Sequence, residues 1–211
     1  MISEASARAR SGMETMPLPP PKPAGGIGME AALHRRRSVR LFAPAALALE
    51  DVALLLWAAQ GVTDSRGFRT APSAGALYPL EIYLAAGEVE GLDAGVYHYD
   101  PTAHALSSMF PGDQRTGLSR AALGQMWVQD AAAALVICAV YRRTTAKYGE
   151  RGIRYAQIEV GHAAQNVYLQ AAALELGTVV VGAFDDDQAR TVLRLTHDCQ
   201  PLAIMPIGQM A

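Results

Sequence analysis

The feature that most constrains the fold is a long helical pattern in the last third of the chain. In residues 151–176, apolar side chains recur every three or four positions, and Gly177 ends the pattern. A helix of this length spans ~35–40 Å at 1.5 Å per residue, which is enough to cross a whole domain. Its many alanines and Gly161 permit close approach of another helix. The rest of the chain therefore has to pack around it.

The remaining segments predict a sheet and shorter helices. Strands are predicted over residues 80–86, 95–99, 105–110, 132–141, 178–184 and 202–207, with a hairpin turn at Asp100 and Pro101. Helices are predicted over residues 29–37, 49–60, 114–126 and 185–195. Hairpins mixed with long helices favour the α+β class over regular βαβ alternation.

A Pro-rich segment precedes this domain. We assign residues 1–24 to an N-terminal arm and residues 25–211 to one domain. The run MPLPPPKP at residues 16–23 favours an extended polyproline conformation. Such an arm either lies on a partner chain or forms a disordered tail, and the sequence leaves both open.

Composition excludes several function classes. The 211 residues are 51% hydrophobic with a net charge of −2, so the chain can form a core and shows no general affinity for nucleic acid or an anionic membrane. No run reaches the ~18 apolar residues of a membrane span, and the N-terminus lacks a secretory signal. Cys138 and Cys199 form no metal-binding spacing, and no metal site is predicted. We expect a cytoplasmic protein without nucleic-acid or membrane partners.

The familiar nucleotide motifs are also missing. Neither the G-x-G-x-x-G turn nor the P-loop occurs, which argues against a dedicated dinucleotide or nucleoside-triphosphate site. The run HRRRSVR at residues 34–40 instead places fork-shaped guanidinium donors and one hydroxyl beside a chain break at Pro44. A phosphate dianion is bound by such groups. Arginines that stabilise the end of a helix dipole give the same pattern, so both interpretations stay open.

Two further segments suit a flat ligand. Residues 70–83 are a loop of small residues that runs into a strand, and such a loop allows close approach of a ring system. Residues 179–186 read as a strand that ends at Gly182 beside an acidic helix start, where backbone N–H groups can donate to a polar ring edge. Each of these segments alone is also compatible with an ordinary turn.

In this order, the three segments resemble the FMN-dependent nitroreductase superfamily. RRSVRLF at residues 36–42 resembles its phosphate motif, PSAGALYP at 72–79 its small-residue loop, and VGAF at 181–184 its ring-contacting strand end. The strings GVYHYD, KYGERGIRY and EVGHAAQN are similar to the SagB/ThcOx-type dehydrogenase branch. The resemblance covers roughly residues 29–208.

The resemblance implies a mostly antiparallel central sheet flanked by helices, a long central helix, and an intertwined homodimer with FMN in the interface. It implies that the phosphate and ribityl end is held by Arg36, Arg37, Ser38 and Arg40. It implies that the partner chain approaches the flavin with Pro72, Ser73, Ala74 and Gly75. It places Gly182 and Ala183 near flavin N5, and it maps a proton-removing Lys-Tyr pair onto Lys147 and Tyr148.

The function expected from the resemblance is that of an oxidoreductase that moves hydride through FMN in a ping-pong cycle. Two chemistries compete: NAD(P)H-driven reduction of nitro or quinone-type acceptors, and dehydrogenation of an azoline in a small-molecule or peptide substrate with oxygen as acceptor. Lys147 is either the base of the second chemistry or an exposed lysine in a charged loop. A flavin-binding assembly or carrier subunit without its own turnover is the alternative function.

Overall fold

Five of the six predicted strands form the centre of one antiparallel sheet in a computed structural model that describes residues 14–21 and 26–211. Its seven strands have the order β1-β4-β3-β2-β5-β7-β6. They are Thr15–Pro17 (β1), Leu80–Ala86 (β2), Gly95–Asp100 (β3), Ala105–Pro111 (β4), Ala133–Ala139 (β5), Leu176–Thr178 (β6) and Gln200–Gln209 (β7). The helices are Met29–Arg35 (α1), Leu49–Gln60 (α2), Arg115–Ala121 (α3), Trp127–Asp130 (α4), Arg142–Tyr148 (α5), Arg151–Ala173 (α6) and Asp186–Val192 (α7).

Helices cover both faces of the sheet. In β2, Leu80, Ile82 and Leu84 pack in the same apolar cluster as α2 and α6, while Tyr83 and Ala85 pack on the opposite face with α3 and α4. This alternation is the period of two that a β-strand imposes on its side chains. Every residue of β5 is buried, as its continuous apolar run predicts. The α+β class and the antiparallel sheet are thus confirmed.

The long helix is confirmed as α6, which contains 23 residues. It ends at Ala173, three residues before the predicted end, because residues 174 and 175 form a turn and Leu176 begins β6. Its first turn crosses α5 at close range: a Cβ added to Gly152 would lie 2.6 Å from the carbonyl carbon of Thr144. Glycine is therefore needed for the two helices to meet.

The described part of the arm lies on its own chain. β1 pairs antiparallel with β4, with Met16 opposite Leu106. Leu18 is buried, and the Pro19 carbonyl lies 2.8 Å from His104 Nε2. Residues 15–19 therefore cover the outer edge of the sheet. The rest of the arm and its predicted boundary at residue 24 lie in residues 1–13 and 22–25, outside the described residues.

Two predicted elements are wrong in extent. Residues 179–184 do not continue a strand: beyond Thr178 a single bridge joins Val181 to Ile204. The helix predicted over residues 114–126 stops at Ala121, because Leu123 and Gly124 adopt left-handed backbone conformations. In contrast, α2 and β2 have the predicted bounds.

Candidate functional site

A groove of about 480 Å³ opens between the basic corner after α1 and the C-terminal end of α6. The Arg36 guanidinium lies 5.1 Å from the ring centroid of Tyr168 on α6, within the range of a cation–π contact. Ser38 Oγ lies 3.0 Å from Tyr168 Oη. Arg37 also lines the groove. Two of the residues predicted to bind phosphate thus contact one tyrosine, and a third lines the same groove.

The same tyrosine joins the basic corner to the predicted ring-contacting segment. Tyr168 Oη accepts a hydrogen bond from the Val180 backbone N–H at 2.9 Å, in addition to its hydrogen bond with the Ser38 hydroxyl. The Val39 N–H donates to the Thr178 carbonyl at 2.9 Å. Residues 178–183 are therefore held beside the corner, and the first and third predicted segments meet within one chain.

Two features of this segment leave room for a ligand. Gly182 is exposed, and a Cβ built on it would meet no atom within 4 Å. Thr178 lines the groove, and its buried Oγ1 has no hydrogen-bond partner among the described residues. A buried polar group without a partner costs ~1–3 kcal/mol. Guanidinium groups together with hydroxyls at one groove suit a ligand that carries both a phosphate and hydroxyl groups.

The other arginines of the corner have additional contacts. Arg37 Nη1 donates to the His34 and Arg36 carbonyls, each at 2.8 Å, and so caps the end of α1. This is the helix-end interpretation that the sequence left open, although Arg37 still faces the groove. Arg40 instead contacts α4, where its guanidinium lies 5.7 Å from the Trp127 ring centroid. A phosphate role for Arg40 stays a prediction.

The small-residue loop lies against the predicted Lys-Tyr pair. A Cβ added to Gly75 would lie 2.6 Å from Tyr148 Oη and 3.0 Å from Lys147 Nζ. Lys147 Nζ lies 5.3 Å from the Tyr148 ring centroid, and that ring packs edge-on against Tyr155 of α6 at 5.2 Å. Because Gly75 lacks a side chain, the loop backbone reaches both functional groups. Pro72, Ser73 and Ala74 belong to the same loop.

A buried charge cluster lies beneath this loop. Glu81 of β2 accepts hydrogen bonds from Arg143 of α5 and from His98 of β3. Burial alone would raise the pKa of Glu81, but the hydrogen bonds and charges of His98 and Arg143 outweigh it and lower that pKa to about 2. Arg143 also donates to the Tyr78 carbonyl at 2.9 Å. The cluster therefore links β2 and α5 to the end of the loop.

The loop and the groove lie at opposite ends of α6. Tyr155 packs on the Lys147–Tyr148 pair, and Tyr168 forms the groove wall. The two tyrosines are ~20 Å apart along the helix axis at ~1.5 Å per residue. Within a single chain, residues 73–75 of the second predicted segment therefore do not reach the groove, whereas Thr70 at its start accepts a hydrogen bond from Asn166 at 3.2 Å.

Sequence reasoning missed four residues of these sites: Tyr168, Thr178, Glu159 and Arg143. Tyr168 stands in an alanine-rich stretch of α6, and its polar tip was the available signal. Glu159 is 3% exposed on the apolar face of the same helix, where a charged residue needs a partner. Both signals were overlooked because the partners are distant in sequence. Among the described residues, no group of three potential ligands could hold a metal ion.

None of the helices in the described ranges is long and apolar enough to cross a membrane.

Comparisons with known proteins identify the relatives of this fold. The chain is 48% identical over 183 residues to "Putative nitroreductase MJ1384" of Methanocaldococcus jannaschii, covering 87% of this chain and 91% of that protein. It is 32% identical over 153 residues to the microcin B17-processing protein McbC of Escherichia coli, covering 67% of this chain. It spans about half of McbC, 54% of its length.

Solved structures agree. A "putative nitroreductase" from Ralstonia eutropha JMP134 superposes with a TM-score of 0.83 at 32% identity, covering 93% of this chain and 90% of that one. A chain of the E. coli microcin synthetase McbBCD complex with bound truncated pro-MccB17 superposes with a TM-score of 0.72 at 26% identity, covering 100% of this chain and 83% of that one.

Family assignment follows from the extent of these matches. The Nitroreductase family profile matches residues 33–209, which is most of the chain and includes both ends of α6. Members of that family are flavin oxidoreductases that typically bind FMN. The homologues include both the nitroreductase-type proteins and the SagB-type processing proteins expected from the motifs. This chain belongs to the Nitroreductase family.

Proposed function

We propose that this protein is an FMN-dependent oxidoreductase whose flavin lies in the groove at the C-terminal end of α6. The observation that carries the proposal is the meeting of the basic corner with residues 178–183 around Tyr168. Cationic donors and hydroxyls are thereby combined at one groove, and the open Gly182 belongs to the segment that Tyr168 holds beside it. The unpartnered Thr178 hydroxyl supports a ligand with polar substituents.

Each group has a definite part in binding. Arg36 and Arg37 would neutralise the phosphate, and a guanidinium can donate two parallel hydrogen bonds to it. Ser38 and Thr178 would form hydrogen bonds with the ribityl hydroxyls. Gly182 and Ala183 leave their backbone open toward the ring edge, because both are exposed and Gly182 has no Cβ. When bound, FMN would accept a hydride at N5 and give it to a second substrate in a ping-pong cycle.

The residues at the other end of α6 separate the two chemistries. Lys147 and Tyr148 have no part in plain hydride transfer from NAD(P)H to a nitro or quinone-type acceptor. They would act in dehydrogenation of an azoline-type substrate, where a base removes a proton while hydride leaves. The likeness to McbC over 67% of this chain supports the second chemistry, and the 48% likeness to a nitroreductase-type protein supports the first.

Replacing Lys147 distinguishes these chemistries. In Lys147→Ala, NAD(P)H-driven reduction of menadione should be unchanged, whereas dehydrogenation of an azoline-containing peptide should fall ~100-fold, the typical contribution of a general base. Tyr148→Phe serves as a second variant that keeps the ring against Tyr155. Full azoline activity in both variants would contradict the base role.

A homodimer would bring the two ends of α6 together. Gly161 lies mid-helix on an exposed face, where glycine costs ~0.5–1 kcal/mol relative to alanine, and apart from the adjacent backbone of α6 no atom of the described residues lies within 4 Å of its Cβ position. Ile158, one turn earlier, is 51% exposed. We infer that a partner helix packs on this face. The loop at residues 72–75 would then approach the flavin held by the partner's groove.

Substitution at Gly161 tests the dimer by the sign of its effect. If the face met only water, Gly161→Ala would raise the free energy of unfolding by ~0.5–1 kcal/mol. With a partner helix there, Gly161→Ala should weaken dimerisation, and Gly161→Trp should yield monomers in sedimentation equilibrium. Glu50→Trp on the exposed face of α2 is the control and should leave the mass unchanged. A Gly161→Trp dimer of native mass would contradict the interface.

The cofactor is tested directly by optical spectroscopy. The protein incubated with FMN and freed of excess ligand should show flavin absorption, and anaerobic addition of NADH or NADPH should bleach it. A colourless protein after reconstitution would defeat the whole proposal. Bound flavin that no nicotinamide reduces would favour the azoline chemistry.

A second candidate function is a flavin-binding subunit that acts only within an assembly. One observation favours it: the structural likeness to a chain of the McbBCD complex, which carries a bound peptide. Turnover by the isolated protein with either substrate class would exclude this candidate.

A further inference from the structure

The loop between α2 and β2 has a strained backbone. Gly75, Ala76 and Tyr78 have φ values of 63°, 53° and 45°, in the left-handed region. Glycine adopts this region freely, but alanine and tyrosine do so at a cost. Such conformations persist only where the surrounding structure over-determines them, and they cluster at functional sites. The contacts that hold this loop therefore indicate what its shape is for.

The start of the loop is held by Glu159 of α6. Its Oε1 accepts a hydrogen bond from the Ala74 N–H at 2.9 Å, and its carboxylate also accepts from the Ser73 hydroxyl. Ser73 Oγ in turn accepts from the Tyr78 N–H at 2.9 Å, which closes the loop on itself. Burial raises the pKa of Glu159, against the lowering effect of the Ala74 and Ser73 hydrogen bonds. One buried carboxyl thus fixes two consecutive residues.

The end of the loop is held by two arginines. Arg143 donates to the Tyr78 carbonyl at 2.9 Å and is itself fixed by Glu81. The Arg69 guanidinium lies 4.5 Å from the Tyr78 ring centroid, and the Arg69 N–H donates to the Tyr78 phenol oxygen at 3.2 Å. Both polar groups of the Tyr78 backbone and its side chain are therefore engaged.

These contacts and the Lys-Tyr pair are mechanically joined. Arg143 and Lys147 are four residues apart on α5, so they share one helix face. The loop meets the pair at Gly75, where the missing Cβ leaves backbone beside Lys147 and Tyr148. An anchor at Arg143 therefore fixes the helix that carries the pair, and an anchor at Glu159 fixes the loop that faces it.

We propose that Glu159 and Arg143 are positioning residues, which hold the loop at residues 72–78 against Lys147 and Tyr148 and so set the orientation of that pair toward the substrate. The substrate in this inference rests on the proposed function. The role of the two residues in holding the loop against the Lys-Tyr pair does not depend on that function. The two residues act through the loop and α5, and neither one contacts the reacting atoms.

Hydrogen exchange tests the loop. In Glu159→Ala, the Ala74 amide loses its acceptor and the Tyr78 amide loses the fixed position of its acceptor Ser73, so both should exchange at least tenfold faster than in the native protein. In Glu159→Gln the side-chain carbonyl still accepts, so exchange should stay within about threefold of native. Glu50→Ala removes an exposed carboxylate from α2 and should change nothing.

Amine labelling tests the pair. The chain has two lysines, Lys22 and Lys147, so competitive acetylation read by mass spectrometry gives the rate at Lys147 against Lys22 as internal reference. We expect this ratio to change at least threefold in Glu159→Ala and to return to native in Glu159→Gln. If the substitution merely loosened the fold, thermal stability would change and Glu159→Gln would not restore the native labelling ratio.

The outcomes are separable from those of the proposed function. Native exchange and native labelling in a folded Glu159→Ala protein would overturn the inference. If that variant fails to fold, Arg143→Gln is measured instead and should accelerate exchange at the Tyr78 and Leu80 amides, and native rates there would equally overturn it. Neither readout needs flavin, so a colourless protein would defeat the proposed function and leave this test intact.

Discussion

The two ends of α6 differ in how their polar groups are satisfied. At the N-terminal end, Glu81, Arg143 and Glu159 are buried or half-buried and each binds a partner within the chain. At the C-terminal end, Arg36 has an aromatic ring as its contact, and the Thr178 hydroxyl is buried without a partner in the described residues. One end is complete in the folded chain, and the other end offers donors to something else.

This difference separates preorganisation from binding. A network whose charges are all paired is costly to break, because one missing partner leaves the others buried and unpaired. A site with unpaired donors gains its remaining hydrogen bonds only when a ligand arrives, so substitutions there should affect binding more than folding. The predictions below test this contrast from the larger effect to the smaller.

The largest effect is expected at Glu81. Glu81→Ala leaves Arg143 and His98 without their shared carboxylate, and the free energy of unfolding should fall by ~3 kcal/mol, the lower range for a broken buried pair. Urea denaturation measures this. A change below ~1 kcal/mol, as for a surface ion pair, would contradict the contrast between the two ends.

The same carboxylate predicts a pH dependence. The pKa of Glu81 is lowered from 4.5 to about 2 in the folded protein, so the ionised form is favoured by folding. Its stabilising contribution is present above pH 4.5 and is lost as the pH falls toward about 2. Denaturation between pH 5 and 2 should show this loss in the native protein, and Glu81→Gln should show a flatter dependence.

Local elements were predictable where a single segment decides its own structure. The helix at Leu49–Gln60 and the strand at Leu80–Ala86 follow from periodicity alone and match in their bounds. The stretch after Thr178 was mispredicted because its apolar residues resemble a strand, whereas the Val180 N–H binds a tyrosine side chain instead of a strand. A tertiary hydrogen bond overrode the local preference.

The site was predictable as a list of segments and not as an arrangement. The motif at residues 36–42 identified the corner, yet the Tyr168 that organises it lies on α6, far along the chain. The loop at residues 72–75 was assigned to a partner chain by resemblance, and that assignment stays a prediction. Side-chain pairs that close across the fold, such as Ala74 with Glu159, leave no periodic signal in the sequence.

An intermediate effect is expected at Arg36, on flavin affinity. Arg36→Ala removes a charge-assisted contact with the phosphate, worth ~1.5–3 kcal/mol, so the Kd for FMN should rise about 10- to 100-fold. Quenching of flavin fluorescence measures it. Arg36→Lys keeps the positive charge but loses the fork-shaped donor group of the guanidinium. Its Kd for FMN should lie between those of the native protein and Arg36→Ala. Arg120→Ala, an exposed arginine of α3, is the control, and an equal loss there would mean that only overall charge matters.

The smallest effect is expected at Thr178 and has opposite signs in its two readouts. Thr178→Val removes the unpartnered hydroxyl at nearly constant volume, so the flavin-free protein should keep its free energy of unfolding or gain up to ~1 kcal/mol. If the hydroxyl binds FMN, the same change should raise the Kd about fivefold, equivalent to ~1 kcal/mol. Thr144→Val is the matched control, because the buried Thr144 hydroxyl already donates to the Tyr141 carbonyl at 3.0 Å. That variant should lose stability and leave the Kd unchanged. Unchanged flavin affinity in Thr178→Val would contradict a place for Thr178 in the binding site. A lower free energy of unfolding of the flavin-free variant would show that the hydroxyl already has a partner. That result would contradict the contrast between the two ends of α6.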